Sequence, residues 1–353
     1  MEIAALTDLL ARVEGAPPEG VALARLAGDG SDRRYWRANY FVGSSPRRVV
    51  VMDLVGVKNI VRSEEVTLYH PEGGELPFLN IHRFLAAIGI PIPRVLAEEV
   101  GAGYVILEDL GDELLLAASA DAARRDALYE RAIDILVTLH VEGTRRLTDD
   151  CFASRQAFEL PLLMWEMRHF TEYGIEKTRA GELRLPAEDL IVLESVYRRV
   201  CERLAALPRV FTHRDYHSRN LLVVGDDLRV IDFQDALLGP AVYDLASLLR
   251  DSYHALPEEL IERLIARYLD GREAAGDGPF DREEFRRDFD WQALQRNLKA
   301  IGRFGFFDLV KGRPQFLADI PRTFGYVRRT LGAYADLAPL RDVLARYRPD
   351  AFE

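Results

Sequence analysis

The first hundred residues alternate between apolar and polar positions at short spacing, a pattern typical of β-strands. Strands are predicted in segments 21–27, 33–43, 47–55 and 104–112. A turn rich in Gly and Asp separates the first two, and the fourth runs into acidic turn residues. Segment 76–90 instead repeats apolar residues at helical spacing before Gly89 and Pro91. A further amphipathic helix is predicted at the N-terminus.

Helical periodicity dominates from residue 121 onward. A long amphipathic helix is predicted over 121–143, with Gly143 as its cap. Further helices are predicted over 160–173, 187–206, 241–254, 257–269, 282–306 and 321–331. The exception is segment 221–233, two short apolar strands around a Gly-Asp-Asp turn. These patterns predict an α+β protein with two lobes, a small β-rich N-terminal lobe (1–108) and a larger, mainly helical C-terminal lobe (109–353).

Composition and charge exclude several classes of protein. The 353 residues are 48% hydrophobic, enough for a sizeable core, and carry a net charge of −11 without any basic block. Binding to nucleic acid or to an anionic membrane is therefore not expected. Two cysteines cannot form a disulfide framework. The N-terminus lacks the basic region of a signal peptide, and no apolar run reaches membrane-spanning length. We expect a soluble cytoplasmic protein with no obligate protein partner.

One loop, HRDYHSRNL at 213–221, carries the strongest chemical signal. Asp215 and Asn220 are separated by four residues, and Asp232 ends the strand pair that follows. A hairpin returns the chain to its start, so Asn220 and Asp232 are expected close together, where their oxygens suit Mg²⁺ beside phosphate groups. Asp215 is then placed to accept a proton from a hydroxyl. Each residue alone is more often a turn or helix cap, but their joint spacing predicts phosphoryl transfer.

The catalytic loop and the Asp-Phe pair at 232–233 resemble the kinase-like fold of aminoglycoside phosphotransferases and choline kinases. Further stretches resemble the amino-sugar kinases of bacterial cell-wall recycling, which phosphorylate the anomeric hydroxyl of N-acetylmuramate and N-acetylglucosamine; they lie at 28–37, 49–53, 230–253 and 295–329. Together these stretches span nearly the whole chain. The resemblance implies a bilobal protein-kinase-like fold, ATP and Mg²⁺ as cofactors, and Asp215 as the catalytic residue. It implies Asn220 and Asp232 as metal ligands, with His213 and Asp244 supporting the loop.

The sequence departs from this family pattern in its third strand. That strand carries Val-Val-Val-Met-Asp where most kinase-fold enzymes have a phosphate-binding Lys, and the next helix has no acidic partner. Phosphate binding is therefore assigned to backbone N–H groups of the first turn and to nearby arginines, namely Gly30, Ser31, Arg34 and Arg37. These arginines are equally compatible with solvated strand edges. Backbone groups of Glu108 and Leu110 are expected to hold the nucleotide base, which leaves ATP and GTP undistinguished.

Segment 162–174 is the richest candidate for the acceptor site. It offers polar groups suited to sugar hydroxyls on Glu166, Arg168, His169 and Glu172, with Trp165, Phe170 and Tyr173 as an apolar floor. An ordinary amphipathic helix with core aromatics explains the same pattern equally well. Asp235 directly follows the metal loop and is a further candidate. Arg296, Asn297 and Arg303 are others, and an N-acetylmuramate carboxylate requires an arginine that the sequence does not specify.

The sequence therefore predicts an ATP-dependent sugar kinase that phosphorylates the anomeric hydroxyl of N-acetylmuramate, N-acetylglucosamine or both, in peptidoglycan recycling. One alternative is a phosphotransferase for aminoglycosides or another small hydroxylated molecule. A second is an inactive nucleotide-binding scaffold, suggested by the missing strand-three Lys. The scaffold is disfavoured because Asp215, Asn220 and Asp232 are all present.

Overall fold

The computed structural model of the chain describes residues 3–26, 34–54, 75–179 and 181–352. Within these residues, an antiparallel five-stranded sheet has the order β1-β2-β3-β5-β4. Its strands are β1 (Glu19–Arg25), β2 (Arg34–Val42), β3 (Ser45–Asp53), β4 (Val95–Glu99) and β5 (Tyr104–Glu108). Four of them confirm predicted strands. The fourth strand in chain order, β4, was not predicted from its short, half-polar sequence.

Alternating residues of this sheet face two different helices, as the two-residue period of a strand requires. Val49 and Val51 of β3 pack beside helix α1 (Ile3–Glu14), which confirms the predicted N-terminal helix. Met52 faces the opposite side and packs with helix α2 (Pro77–Ala87). The side chains of α2 continue into the second lobe, where the Phe78 ring stacks on Phe233 at 5.0 Å. One hydrophobic core therefore joins the lobes.

The remainder of the chain is mainly helical. Its helices are α3 (Leu115–Ala118), α4 (Ala122–Arg145), α5 (Leu160–Phe170), α6 (Ala187–Ala206), α7 (Val242–Leu249), α8 (Glu258–Ala274), α9 (Arg282–Leu309), α10 (Ile320–Ala333) and α11 (Ala338–Tyr347). Short antiparallel pairs interrupt them, formed by β6 (Lys177–Thr178) with β7 (Gly181–Glu182), β8 (Arg209–Thr212) with β11 (Leu237–Pro240), and β9 (Leu221–Val224) with β10 (Asp227–Val230). The predicted bilobal α+β class is confirmed.

Several predicted helix ends were wrong, among them those of α4, α7 and α8, the last of which ends at Ala274 and not at residue 269. Helix α4 continues past Gly143 to Arg145. Gly143 lies within the helix and packs against Phe211, since a Cβ added to it would lie 3.0 Å from the Phe211 Cβ. Gly143 is therefore a close-packing position and not a cap. Helix α7 ends at Leu249, five residues before the predicted end, because the chain that follows turns to support the catalytic loop. No helix among the described residues is long and apolar enough to cross a membrane.

Candidate active site

The catalytic loop begins directly after strand β8, and a buried aspartate on α7 holds the start of the loop by hydrogen bonds. Asp244 accepts hydrogen bonds from the backbone N–H of His213 at 2.6 Å and of Arg214 at 2.8 Å. His140 lies 3.2 Å behind the same carboxylate. Arg214 adopts a left-handed backbone with φ of 81°, a conformation that an ordinary residue holds only under surrounding constraint. The expected backbone hydrogen bonds of Asp244 are therefore present.

His213 ties the loop to the strand that carries the proposed metal ligand. Its Nε2 lies 3.0 Å from the carbonyl oxygen of Ile231, and its Nδ1 lies 3.2 Å from the backbone N–H of Asp215. Because a carbonyl only accepts and an N–H only donates, these partners select the neutral ring with its proton on Nε2. His213 thus positions the backbone of Asp215 and is itself nearly fully buried.

A second buried aspartate, which the sequence did not reveal, fixes the end of the loop. Asp251 Oδ2 accepts from the Ser218 backbone N–H at 3.0 Å and from the Ser218 hydroxyl at 2.5 Å. Its other oxygen accepts from the Tyr253 backbone N–H at 2.9 Å. The available signal was an acidic residue directly after an apolar helix, Leu-Leu-Arg-Asp-Ser, but that signal is common at helix ends.

The hairpin of β9 and β10 brings the two proposed metal ligands close together, as expected for a hairpin that returns the chain to its start. Leu221 pairs with Val230, and the Ile231 N–H donates to the Asn220 carbonyl oxygen at 3.0 Å, so Asp232 follows directly beside Asn220. The Asn220 amide nitrogen donates to the Asp215 carbonyl oxygen at 2.9 Å, which leaves the amide oxygen available to a cation. Asp232 is exposed and has a left-handed backbone, φ 63°. A carboxylate and an amide oxygen fit Mg²⁺, which takes further oxygens from phosphate.

Asp215 lies in a strongly positive environment. Burial would raise the pKa of its carboxyl group, but the charges of Lys299, Arg214 and Arg296 outweigh burial and hold the pKa well below its usual range. Lys299 lies on α9, where its ammonium group contacts the Tyr243 hydroxyl at 3.2 Å. Asp215 is therefore a carboxylate at neutral pH. A carboxylate in this position can orient a hydroxyl nucleophile and accept its proton.

The nucleotide side of the site is described only in part. Gly30 and Ser31 lie outside the described residues. Arg34 begins β2, is exposed, and sits opposite Asp53 of β3. Arg37 ion-pairs with Asp109 at 2.6 Å and with Asp112 at 2.7 Å, and these carboxylates raise the pKa of its guanidinium. In this structure Arg37 thus fastens β2 to the connection between the lobes, and its phosphate-binding role stays a prediction.

The backbone of the interlobe connection begins at Glu108. The Glu108 N–H donates to the Arg94 carbonyl oxygen at 2.9 Å, and the Glu108 side chain pairs with the Arg94 guanidinium at 3.2 Å. Both contacts tie Glu108 to the edge of the sheet at the start of the connection. Leu110, two residues on, is partly buried. The roles of Glu108 and Leu110 in base binding stay predictions.

The polar side chains of the predicted acceptor segment do not point to one place. Glu166 is fully buried, and its oxygens contact Gln295 Nε2 at 2.7 Å and Lys299 Nζ at 3.0 Å. Arg168 instead pairs with Glu194 of α6 at 2.6 Å. Glu172 pairs with its neighbour Lys177 on the surface at 2.7 Å. Of these three, only Glu166 connects to the catalytic loop, through Lys299.

Three rings of the same segment, those of Trp165, His169 and Tyr173, contact one another in a row along α5 and the turn that follows it. His169 lies between Trp165, 5.1 Å away, and Tyr173, 4.9 Å away, and its ring is nearly buried. Phe170 belongs to the hydrophobic core, whereas Trp165 is 38% exposed. Asp235 closes the short helical turn after Asp232 and is partly buried. The direct contacts of His169 and Asp235 with a sugar stay predictions.

These features are the ones expected of a phosphotransferase site, and comparison with known proteins shows the family to which the chain belongs. Residues 22–286 match the family model described as the phosphotransferase enzyme family. The chain belongs to this family. Proteins named N-acetylmuramate/N-acetylglucosamine kinase are similar over most of its length. The one from Neisseria meningitidis serogroup B is 32% identical, covering 93% of this chain and 91% of the relative. The one from Pseudomonas aeruginosa is 32% identical, covering 90% and 86%.

Solved structures confirm the kinase-like fold. A choline/ethanolamine kinase family protein from Mesorhizobium loti superposes with a TM-score of 0.59 and 17% identity, covering 98% of this chain and all of that one. An ADP-bound aminoglycoside phosphotransferase gives a TM-score of 0.54 and 16% identity, covering 93% of this chain and 98% of that one. At these identities the likeness concerns the fold. The predicted family, fold and enzyme class are thus confirmed.

Proposed function

We propose that the protein is an ATP- and Mg²⁺-dependent kinase that phosphorylates the anomeric hydroxyl of N-acetylmuramate, N-acetylglucosamine or both. The observation that carries the proposal is the assembled loop, in which Asp215, Asn220 and Asp232 meet through the Ile231–Asn220 hydrogen bond. The kinase names of relatives that cover most of the chain support these sugars. Both sugars are components of peptidoglycan, so the enzyme would serve its recycling.

The proposed roles follow from the positions of the side chains. Asp215 orients the acceptor hydroxyl and takes its proton. Asn220 and Asp232 would hold Mg²⁺, which supplies positive charge against the phosphates when it is bound. Positioning and electrostatics dominate phosphoryl transfer, so rigid support of the loop by Asp244 and Asp251 serves the reaction directly.

The charges around Asp215 favour a neutral or acidic acceptor over a polycation. Lys299, Arg214 and Arg296 all act on this carboxylate. An aminoglycoside would bring several further positive charges to the same region, where low solvent exposure strengthens repulsion. N-acetylglucosamine is neutral and N-acetylmuramate is an anion. This electrostatic difference supports the amino sugars.

A substrate panel tests the proposal. Purified protein is incubated with ATP and Mg²⁺ and with N-acetylmuramate, N-acetylglucosamine, glucose or kanamycin, and ADP release and product mass are measured. We expect sugar monophosphates from the N-acetylated sugars. The matched substrate is the methyl glycoside of N-acetylglucosamine, which differs only in its blocked anomeric oxygen and should give no product.

Three results would contradict the proposal. Phosphorylation of the methyl glycoside would move the reaction to another hydroxyl, and preferential turnover of kanamycin would support the aminoglycoside alternative. The Asp215→Asn variant, assayed beside the natural protein, gives the background of contaminating kinases. Nucleotide binding without turnover of any acceptor would favour the scaffold alternative.

A further inference from the structure

Helix α9 carries a stripe of polar side chains that faces the interior of the protein. The stripe consists of Gln292, Gln295, Arg296, Lys299 and Arg303. Their three- and four-residue spacing places them on one helical face. All but Arg303 are buried. The stripe meets helix α5 and the catalytic loop, because Gln295 and Lys299 bind Glu166 and the charges of Lys299 and Arg296 act on Asp215.

Arg296 differs from the other cation at the centre of this stripe. The charge of Lys299 is balanced by Glu166 at 3.0 Å. Arg296 is only 8% exposed, and among the described residues none forms an ion pair or hydrogen bond with its guanidinium, whose nitrogens retain contact with solvent. A largely desolvated guanidinium without a protein partner is available to an anion, and binding one offsets the cost of its desolvation. The electrostatic influence of Arg296 extends to Asp215, His217 and Tyr253, which places it at the reacting end of the site.

The position of α9 assigns this anion to the acceptor and not to the nucleotide. Helix α9 packs against α5, α7 and α10, all in the helical lobe, whereas the nucleotide side is formed by the sheet and the interlobe connection. Of the two proposed sugars, N-acetylmuramate alone has a carboxylate, in its lactyl group on C3. C3 is two ring carbons from the anomeric carbon, so the lactyl carboxylate can reach a side chain near Asp215. A guanidinium binds a carboxylate through two parallel hydrogen bonds.

We propose that Arg296 binds the lactyl carboxylate of N-acetylmuramate and so favours this sugar over N-acetylglucosamine. The inference rests on the sugar kinase function proposed above and adds a residue that determines specificity. N-acetylglucosamine has a hydroxyl in place of the lactyl group and leaves Arg296 without its anion. Both sugars present the same anomeric hydroxyl to Asp215, so the two substrates differ in this one contact.

The test compares kcat/KM for both sugars in the natural protein and in Arg296→Gln. We expect kcat/KM for N-acetylmuramate to fall about 10- to 100-fold, the range for loss of a charge-assisted hydrogen bond. The value for N-acetylglucosamine should fall by a smaller factor, because any effect of Arg296 on Asp215 is common to both sugars, and the ratio of the two values is the readout. Arg296→Lys keeps the charge without the planar fork and should give an intermediate loss. Arg287→Gln is the matched control, because Arg287 lies on the same helix but pairs with Asp336 at the surface.

An uncharged substrate analogue makes the test independent of protein folding. In the natural protein, the lactyl methyl ester of N-acetylmuramate should lose as much kcat/KM as Arg296→Gln loses with the free acid. The variant should no longer distinguish acid from ester. Natural protein that uses acid and ester equally well would overturn the inference.

The remaining outcomes separate this inference from the proposed function. Equal losses with both sugars in Arg296→Gln would make Arg296 a general structural or phosphate-binding residue and overturn the specificity role. Natural protein that phosphorylates N-acetylglucosamine but not N-acetylmuramate would also overturn it, while leaving a sugar kinase. Natural protein inactive with both sugars would instead refute the proposed function on which the inference depends.

Discussion

Asp215 combines a fixed backbone with a strongly stabilised negative charge, and this combination makes its removal informative. Asp215→Asn keeps the size of the side chain and the backbone contact with Asn220. We expect kcat to fall by about two to four orders of magnitude, the range for a general base. The KM for ATP should stay within about threefold, because Asn220 and Asp232 are unchanged. Steady-state kinetics with N-acetylmuramate provide the measurement. A kcat within about threefold, or about 0.6 kcal/mol of barrier, would reduce Asp215 to a loop cap.

Asp232 allows its charge to be removed without straining the backbone. Its left-handed conformation is one that Asn also adopts readily, and the Asn amide oxygen can still accept the hydrogen bond from Gln234 Nε2, so Asp232→Asn mainly removes the charge of the proposed metal ligand. We expect turnover to disappear and ATP affinity to become independent of Mg²⁺, as titration calorimetry with and without Mg²⁺ would show. Asp226→Asn is the control, since Asp226 is an exposed carboxylate in the turn of the same hairpin. Mg²⁺-dependent binding that survives in Asp232→Asn would disprove the metal assignment.

The sequence best anticipated the relative positions of residues that are close along the chain, whereas their roles stay predictions. Asp215, Asn220 and Asp232 lie within one loop and one hairpin, so local geometry brings them together. Arg37 and Glu166 were harder, because their partners Asp109 and Gln295 lie 72 and 129 residues away. Their residue types made both side chains candidates for ligand binding. Only the folded structure shows that both side chains are hydrogen-bonded to other protein groups.

Among the structural elements, the catalytic loop is held by hydrogen bonds to Asp244 at its start and to Asp251 at its end. The contribution of Asp251 can be tested separately. Its buried carboxylate accepts three hydrogen bonds from Ser218 and Tyr253. Asp251→Asn presents an amide to these donors, so we expect a loss of about 1 to 3 kcal/mol in the free energy of unfolding and a lower kcat. Denaturant unfolding and kinetics measure the two effects. Ser218→Ala removes the hydroxyl but keeps the backbone N–H, and should cost less. Unchanged stability and kcat in Asp251→Asn would contradict a supporting role.

Helices α5 and α9 approach each other through glycine. A Cβ on Gly302 would lie 2.7 Å from Phe170 Cα and 2.9 Å from the His169 carbonyl oxygen, both backbone atoms. Gly302→Ala therefore forces the helices apart, and we expect it to lower the free energy of unfolding by about 1 to 3 kcal/mol. Gly325→Ala is the control, because Gly325 lies in α10 with open space around it. This substitution should raise the free energy of unfolding by about 0.5 to 1 kcal/mol. The same sign for both variants would refute the packing argument.

The helices were predicted more accurately than the short strands. Helix α6 matches its predicted bounds because its apolar period is regular over 20 residues. Strands β8 and β11, each of four residues, were missed, since so short a segment has too few positions to show a period. Their pairing, Thr212 with Leu237, joins segments that only the fold brings together.

For the molecule as a whole, buried histidines predict how stability depends on pH. Burial lowers the pKa of His140, His217 and His254 below the ordinary value near 6.5. The unfolded chain therefore takes up protons that the folded chain does not, so the free energy of unfolding falls as pH drops below about 7. Each histidine contributes a slope of up to about 1.4 kcal/mol per pH unit. Carboxylates with lowered pKa, such as Asp350, act only at lower pH.

Urea unfolding at pH 7.5 and 5.5 tests this dependence. We expect lower stability at pH 5.5, and a shallower slope in His140→Gln by about the contribution of one histidine. His140 is fully buried between Asp244 and Tyr268, and burial lowers its pKa even though the Asp244 carboxylate favours the protonated ring. Stability that is constant or higher at pH 5.5 would show that these histidines are protonated in the folded protein.

The ion pairs of Arg37 fasten the connection between the lobes to the sheet. Arg37 and Arg48 of the sheet both hold Asp109 at 2.6 Å, and Arg37 also holds Asp112. One residue later the chain is attached to the other lobe, because the Glu113 carbonyl oxygen accepts from the Val223 N–H at 2.7 Å. The chain therefore passes from the sheet-bound connection to the helical lobe between Asp112 and Glu113. A nucleotide base held at residues 109–112 would keep a fixed position relative to the sheet, because Arg37 and Arg48 fasten this segment to it.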